Sequence, residues 1–216
     1  MRRSKRRIKE SRMTAQPNLK RKYTVEEYIE LLHNSGERFE YFDGEIVSMA
    51  GGKLEHGSIG VNISGELRNL LRERLCRVFN SDVAIKTVLE PPFRFPDVSV
   101  VCGEVLSEDF NGIDMLLNPL FICEVLSPNT ASYDREEKFL VYQAIDSFQE
   151  YLLVEQQRPH VTRYVRQTDG QWLRADIIGL DSVVKLESLG VALPLSEIYR
   201  LVKFPEAEPV ITEQPA

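Results

Sequence analysis

Hydrophobic residues recur along this chain with two periods, and the points where one period gives way to the other mark its elements. Tyr28, Ile29, Leu31 and Leu32 share one face of a short helix, opened by Thr24 and Glu27 in the spacing of a capping box. Arg38 to Phe42 and Glu45 to Met49 flank Asp43-Gly44, a dipeptide suited to the positive φ angles of a tight turn, so a β-hairpin is predicted. Beyond Gly51-Gly52, the positions Ile59, Ile63, Leu67, Leu70, Leu71, Leu75 and Val78 follow three- and four-residue steps and predict one long amphipathic helix from His56 to Phe79.

Apolar segments of strand length come next: Val83 to Leu89, Phe95 to Cys102 and Leu120 to Leu126. The last two are apolar nearly throughout, as central strands covered on both faces are. A second helix is expected from Asp134, which with Glu137 resembles a capping box, through Phe139, Tyr142 and Ile145. Glu150 to Val154 follows as a buried strand, and a helical crossover between it and the strand at 120 favours parallel pairing. Alternation over Val161 to Arg166, Trp172 to Ile178 and Val183 to Leu186, with a turn at Asp169-Gly170, predicts an antiparallel extension. The fold class is thus α/β with a mixed sheet (α+β in its strand directions), helices on its flanks and an N-terminal hairpin.

Composition narrows the class without deciding the function. The 216 residues suit one soluble domain, expected over residues 23–203, with a basic disordered arm at 1–22 and a disordered Pro/Glu tail at 204–216. No apolar run is long enough to span a bilayer, and the basic start leads into no signal-peptide core, so a cytoplasmic protein without membrane contact is expected. Cys76, Cys102 and Cys123 are odd in number and widely spaced, which predicts neither a disulfide framework nor a cysteine zinc site. The net charge of −6 argues against a polyanionic partner until it is divided: residues 1–22 carry ten basic groups and one acid, or +9, and the rest carries −15.

Two acids stand where a fold alone would not put them. Asp97 starts the apolar strand Val98 to Val101, and Glu124 interrupts Phe121 to Leu126. An ionised carboxylate in such surroundings costs several kcal/mol unless it is paired or bound to a cation. If these strands are neighbours, both side chains reach one side of the sheet and can hold a hard divalent ion such as Mg²⁺, with Mn²⁺ as a substitute. Lys138, on the following helix, is the nearest cation to orient a nucleophile. Plainer readings stand beside these: Asp97 as a cap after Pro96, Glu124 in a structural ion pair, Lys138 solvated and paired with Asp134, and Asp134 itself as a helix N-cap.

The order Pro96-Asp97, Glu124-Val125-Leu126 and a helix with Lys138 and Tyr142 resembles the PD-(D/E)xK nuclease superfamily. More closely, it resembles the Uma-two family of restriction-endonuclease-like proteins, through Phe39 to Glu45, Glu55-His56, Phe95 to Val100, Glu124 to Thr130, Tyr133-Asp134, Glu137-Lys138 and Glu150 to Val154. The superfamily's usual Lys, two residues after the Glu, falls at Leu126, and Lys138 stands where the family moves that role. The resemblance implies a restriction-endonuclease-like core, Asp97 and Glu124 as metal ligands, and a Mg²⁺-dependent endonuclease acting on DNA as a homodimer. It also keeps an acid at Glu40, as a further ligand or water-orienting group, or else an exposed strand acid. His56 is a candidate for phosphate contact or proton transfer, or else makes local helix-start hydrogen bonds. An inactive binding or assembly module of the same fold, or an RNA-directed phosphodiesterase, would carry the same residues.

Overall fold

The computed structural model describes residues 21–49, 53–89, 91–128 and 130–205. The basic arm and the Pro/Glu tail fall almost wholly outside these residues. The described chain groups into two compact units that meet in sequence at Gly51 and Gly52.

The N-terminal unit consists of α1 (Val25–Ser35) and the hairpin β1 (Phe39–Phe42) and β2 (Glu45–Ser48). The predicted capping box is present: Thr24 Oγ1 accepts from the Glu27 amide at 3.2 Å, and Glu27 Oε2 accepts from the Thr24 amide at 3.0 Å. Asp43 and Gly44 both take positive φ, 41° and 84°, which lets Phe42 pair with Glu45 across a two-residue turn. Buried Tyr28 ties the helix to the hairpin by donating to the Phe39 carbonyl at 2.7 Å.

The second unit is built on a six-stranded sheet in the order β12 (Trp172–Ile178), β11 (His160–Arg166), β10 (Glu150–Glu155), β9 (Phe121–Leu126), β6 (Val98–Cys102) and β3 (Cys76–Asn80). The pair β9 and β10 is parallel and the remaining pairs are antiparallel, which gives the mixed sheet the pattern predicts. The helical segment 131–143, labelled α3, joins the parallel pair. Every residue of β9 is buried, which explains why all but Glu124 are apolar. On one face α2 (Leu54–Leu70) lays Ile59, Ile63 and Leu67 on Val98, Cys123, Val125 and Leu152. On the other, Phe139 and Tyr142 of α3 pack with Ile122, Tyr151 and Leu153. A four-stranded sheet, β5 (Phe93–Arg94), β4 (Ala84–Lys86), β8 (Ile113–Leu116) and β7 (Ser107–Phe110), and the hairpin β13 (Val183–Leu186) and β14 (Val191–Pro194), with α4 (Leu195–Ile198), complete the unit. No helix among the described residues is long and apolar enough to cross a membrane.

Four expectations are corrected. The long helix stops at Leu70, and 76–80 is the edge strand β3; Leu75 is 86% exposed, and Cys76 and Val78 reach the core by strand alternation. The strand expected over 83–89 is confined to Ala84–Lys86, and β6 starts at Val98. Asn111-Gly112, with φ of 52° and 81°, turns an unforeseen hairpin between β7 and β8. Finally, Cys76 and Cys102 form a disulfide: the antiparallel register of β3 and β6 sets them directly opposite despite a separation of 26 residues. Cys123 is a buried free thiol.

Candidate active site

The ladder between β6 and β9 pairs Val98 with Cys123. One step further, the pleat of β9 turns Glu124 toward the face that carries α3, and Asp97 stands at the bend just before β6, at the same end of the sheet. Asp97 continues the ladder with its side chain, Oδ2 accepting from the Val125 amide at 2.7 Å. His56, in the first turn of α2, brings Nε2 to 3.5 Å from the same oxygen.

α3 supplies the cation. It starts at Ala131, widens into a π turn over Asp134–Lys138 and resumes as α-helix over Phe139–Gln143. π turns of this kind are frequent at functional sites. Lys138 Nζ lies 3.3 Å from Glu124 Oε1 and 3.2 Å from Asp134 Oδ1, with the Tyr133 ring centroid at 5.6 Å. Tyr142, one turn on, donates its hydroxyl to Glu124 Oε1 at 3.0 Å, and Tyr151 of β10 donates to the Asp134 carbonyl at 2.9 Å. The side chains of Lys138, Glu124 and Asp134 are 3 to 4% exposed, whereas Asp97 and His56, at 17% and 28%, border solvent.

Two of the plainer readings therefore hold in part. Lys138 does pair with Asp134, but both are buried, and Glu124 is in an ion pair with Lys138. Asp134 is not an N-cap: it sits inside a helical segment that begins three residues earlier, and its carboxylate faces Lys138. The start of the segment is secured by Ser127, whose Oγ accepts from the Thr130 amide at 3.2 Å.

Among the described residues, three carboxylates of this group face one lysine and one histidine. Burial pushes Asp97 above the usual aspartate range, outweighing the opposite pull of His56, the Val125 amide and Lys138. Burial also raises the Cys123 thiol well above normal, and the charges of Asp97 and Glu124 add to it. The Tyr151 hydroxyl is raised in the same way, by burial first and then by Glu124. A group in which acids outnumber cations among the described residues suits a bound cation.

Among the described residues no three His, Cys, Asp or Glu side chains converge as a closed metal cage. Two carboxylates with the remaining positions left to water and substrate suit Mg²⁺, which keeps part of its hydration shell, so the oxygen donors of Asp97 and Glu124 fit it. Of the five residues singled out in the sequence, Asp97, Glu124, Lys138 and His56 come together. Glu40 lies in the N-terminal unit, half-buried on β1 opposite Val47. The sequence reading missed Tyr151, whose only signal is a hydroxyl in the apolar strand Tyr151 to Val154.

The chain belongs to the Uma2 family, described as "Putative restriction endonuclease", whose profile matches residues 25–196. It is 35% identical over 183 residues to the uncharacterized protein slr1290 of Synechocystis, covering 85% of this chain and 94% of that protein. A second uncharacterized Synechocystis protein, sll1609, is 30% identical over 168 residues, covering 78% and 94% respectively. In fold, the chain matches a crystal structure titled a putative nuclease belonging to DUF820 from Anabaena variabilis. The TM-score is 0.63 at 18% identity, covering 82% of this chain and 97% of that one.

Proposed function

We propose that this Uma2 chain is a Mg²⁺-dependent endonuclease that hydrolyses phosphodiester bonds of DNA, with Asp97 and Glu124 as the metal-holding pair. The observation that carries the reading is the convergence of these two carboxylates with the buried Lys138 and with His56. When bound, the ion supplies Lewis-acid activation of a water and neutralises charge on the phosphoryl oxygens.

The chain's own residues divide the remaining work. Tyr142 fixes the rotamer of Glu124 by donating to Oε1, and the Val125 amide fixes Asp97. Asp134 keeps a hold on the Lys138 ammonium when Glu124 turns to a metal, so the cation stays at the site to orient the attacking water or meet charge developing on the phosphate. His56, at the solvent border beside Asp97, is placed to contact substrate phosphate.

A second reading has its own support: the contact between Lys138 and Glu124 also satisfies both charges without a metal, as an inactive binding or assembly module would need. Cleavage assays on DNA and RNA with Mg²⁺, Mn²⁺ or chelator separate the readings. Cleavage of DNA that needs the divalent ion and is lost in Asp97→Ala and Glu124→Ala is the expected result. Metal-dependent cleavage that survives both substitutions overturns the site, and preferential cleavage of RNA overturns the substrate.

A further inference from the structure

We infer that the outer edge of β12 is a self-complementary interface through which two copies of this chain join their six-stranded sheets. This gives the homodimer of the family resemblance a location, and it stands whether or not the site cleaves DNA.

Among the described residues, strand β12 ends the sheet, paired on one side only, by β11. The amide of Gln167 donates to the Gln171 carbonyl and that of Gly179 to the Pro159 carbonyl. These bonds identify the residues of β12 that face β11 as Leu173, Ala175 and Ile177. The backbone groups of Trp172, Arg174, Asp176 and Ile178 therefore point away from the sheet. At one end the ladder is closed, because the Ile178 carbonyl accepts from the Ser182 hydroxyl at 2.6 Å. Leu173 and Ile178 are 55% and 66% exposed, apolar side chains on an edge that proteins usually protect.

An antiparallel partner must match outward-pointing residues with outward-pointing residues, so the register moves in steps of two. A twofold axis through Ala175 sets Arg174 opposite Asp176 of the partner subunit, Trp172 opposite Ile178 and Leu173 opposite Ile177, with the smallest side chain on the axis. The neighbouring registers fail on charge, since one sets arginine against arginine and the other aspartate against aspartate. The strand Trp172-Leu173-Arg174-Ala175-Asp176-Ile177-Ile178 thus reads as its own complement in a single register.

The pairing has a consequence for the site. Glu124, Leu153, Thr162 and Asp176 form one row across the sheet, so the axis lies at the end of the row that starts at the candidate metal pair. In the dimer both sites open on the same face. They are separated along the sheet by seven strand spacings, roughly 34 Å at the usual spacing. If the DNA reading holds, this is close to the length of one duplex turn.

Sedimentation velocity on the full chain over a micromolar dilution series tests the pairing. The wild type is expected to dimerise, and Arg174→Asp and Asp176→Arg, each of which sets like charges together, are each expected to weaken it roughly tenfold to a hundredfold. An equimolar mixture of the two variants restores complementarity and is expected to dimerise as heterodimers. Ala175→Cys, which leaves the charges alone, should close an interchain disulfide on oxidation with diamide, while Leu173→Cys should not. A monomeric wild type, dimers indifferent to both charge reversals, a mixture that stays monomeric, or crosslinking at 173 in preference to 175 overturns the proposal.

Discussion

Two charged clusters lie on the same sheet, and they treat the aspartate side chain in opposite ways. At the Asp97 group, three acids face one lysine and one histidine among the described residues, with Glu124, Asp134 and Lys138 nearly dry, and burial drives Asp97 above its ordinary range. Near the ends of β10 to β12, Glu155 and Asp176 are met by Arg135, Arg158, His160 and Arg174 at 2.6 to 3.4 Å. There burial again acts to raise Asp176, but hydrogen bonds from Thr162, Arg174 and His160 outweigh it and hold the carboxyl at about 2. Glu155 is lowered too, chiefly by its hydrogen bond from Arg158. A cluster rich in arginine supports the fold. One in which several buried carboxylates share a single lysine holds its charge at the expense of stability, the pattern of binding and catalytic sites.

The sharpest test of that contrast separates activity from stability. Asp97→Asn and Glu124→Gln are expected to lower metal-dependent cleavage by roughly a thousandfold in single-turnover assays, the scale of a lost catalytic group, while leaving the melting temperature unchanged or raised. Lys138 keeps Asp134 as a partner in Glu124→Gln, so no buried charge is left alone. A large fall in melting temperature in these variants would place the Asp97 group with the structural cluster. Lys138→Met goes the other way, because it strands Glu124 and Asp134 without their lysine. It should destabilise the fold by about 3 to 5 kcal/mol near neutral pH in urea titrations, and by less as acid protonates the two carboxylates.

A smaller effect is expected from the metal. Millimolar Mg²⁺ should raise the melting temperature of the wild type by a few degrees and leave Glu124→Gln unmoved, since binding to the folded state adds roughly 1 to 3 kcal/mol. Equal shifts in both proteins would locate the ion elsewhere. The smallest effect is in the pH profile, where the two aspartates oppose each other. Asp176 is lowered on folding, so its contribution is present above its ordinary value of 3.8 and is lost as pH falls through about 2. Asp97 is raised, so the folded state holds its proton more tightly and stability declines as pH rises past 3.8. Asp176→Asn should therefore remove about 1 kcal/mol at neutral pH, after allowing for its partial exposure, and flatten the acid limb. Asp97→Asn should flatten the limb above it.

Much of the site was legible because carboxylates in apolar strands are conspicuous. Glu124 breaks a run of five apolar residues, Asp97 opens another, and both fall at one end of the sheet once the strands are neighbours. What escaped depends on three-dimensional register or on ambiguous local patterns. Asp134 and Glu137 have the spacing of a capping box, and the same i, i+3 spacing occurs inside any helix, so the start of α3 at Ala131 was hidden. The helix predicted past Leu70 ran on because Leu71, Leu75 and Val78 prolong a helical step, although Val78 belongs to a strand. The Cys76 to Cys102 pairing is set by how β3 meets β6, and the connection between them winds through β4 and β5. The π turn that lifts Lys138 toward Glu124 leaves no periodic trace.

That π turn gives the site two rates of opening. Asp97 and Glu124 are set by the inner strands β6 and β9, whose ladders open only when the sheet does, whereas Lys138 rides on a helical segment whose hydrogen-bond pattern is interrupted at its own position. Amide exchange should thus be slow along β9 and β10 and faster across 134–138. The turn of helix that carries the lysine is thus expected to open ahead of the strands that carry the two carboxylates.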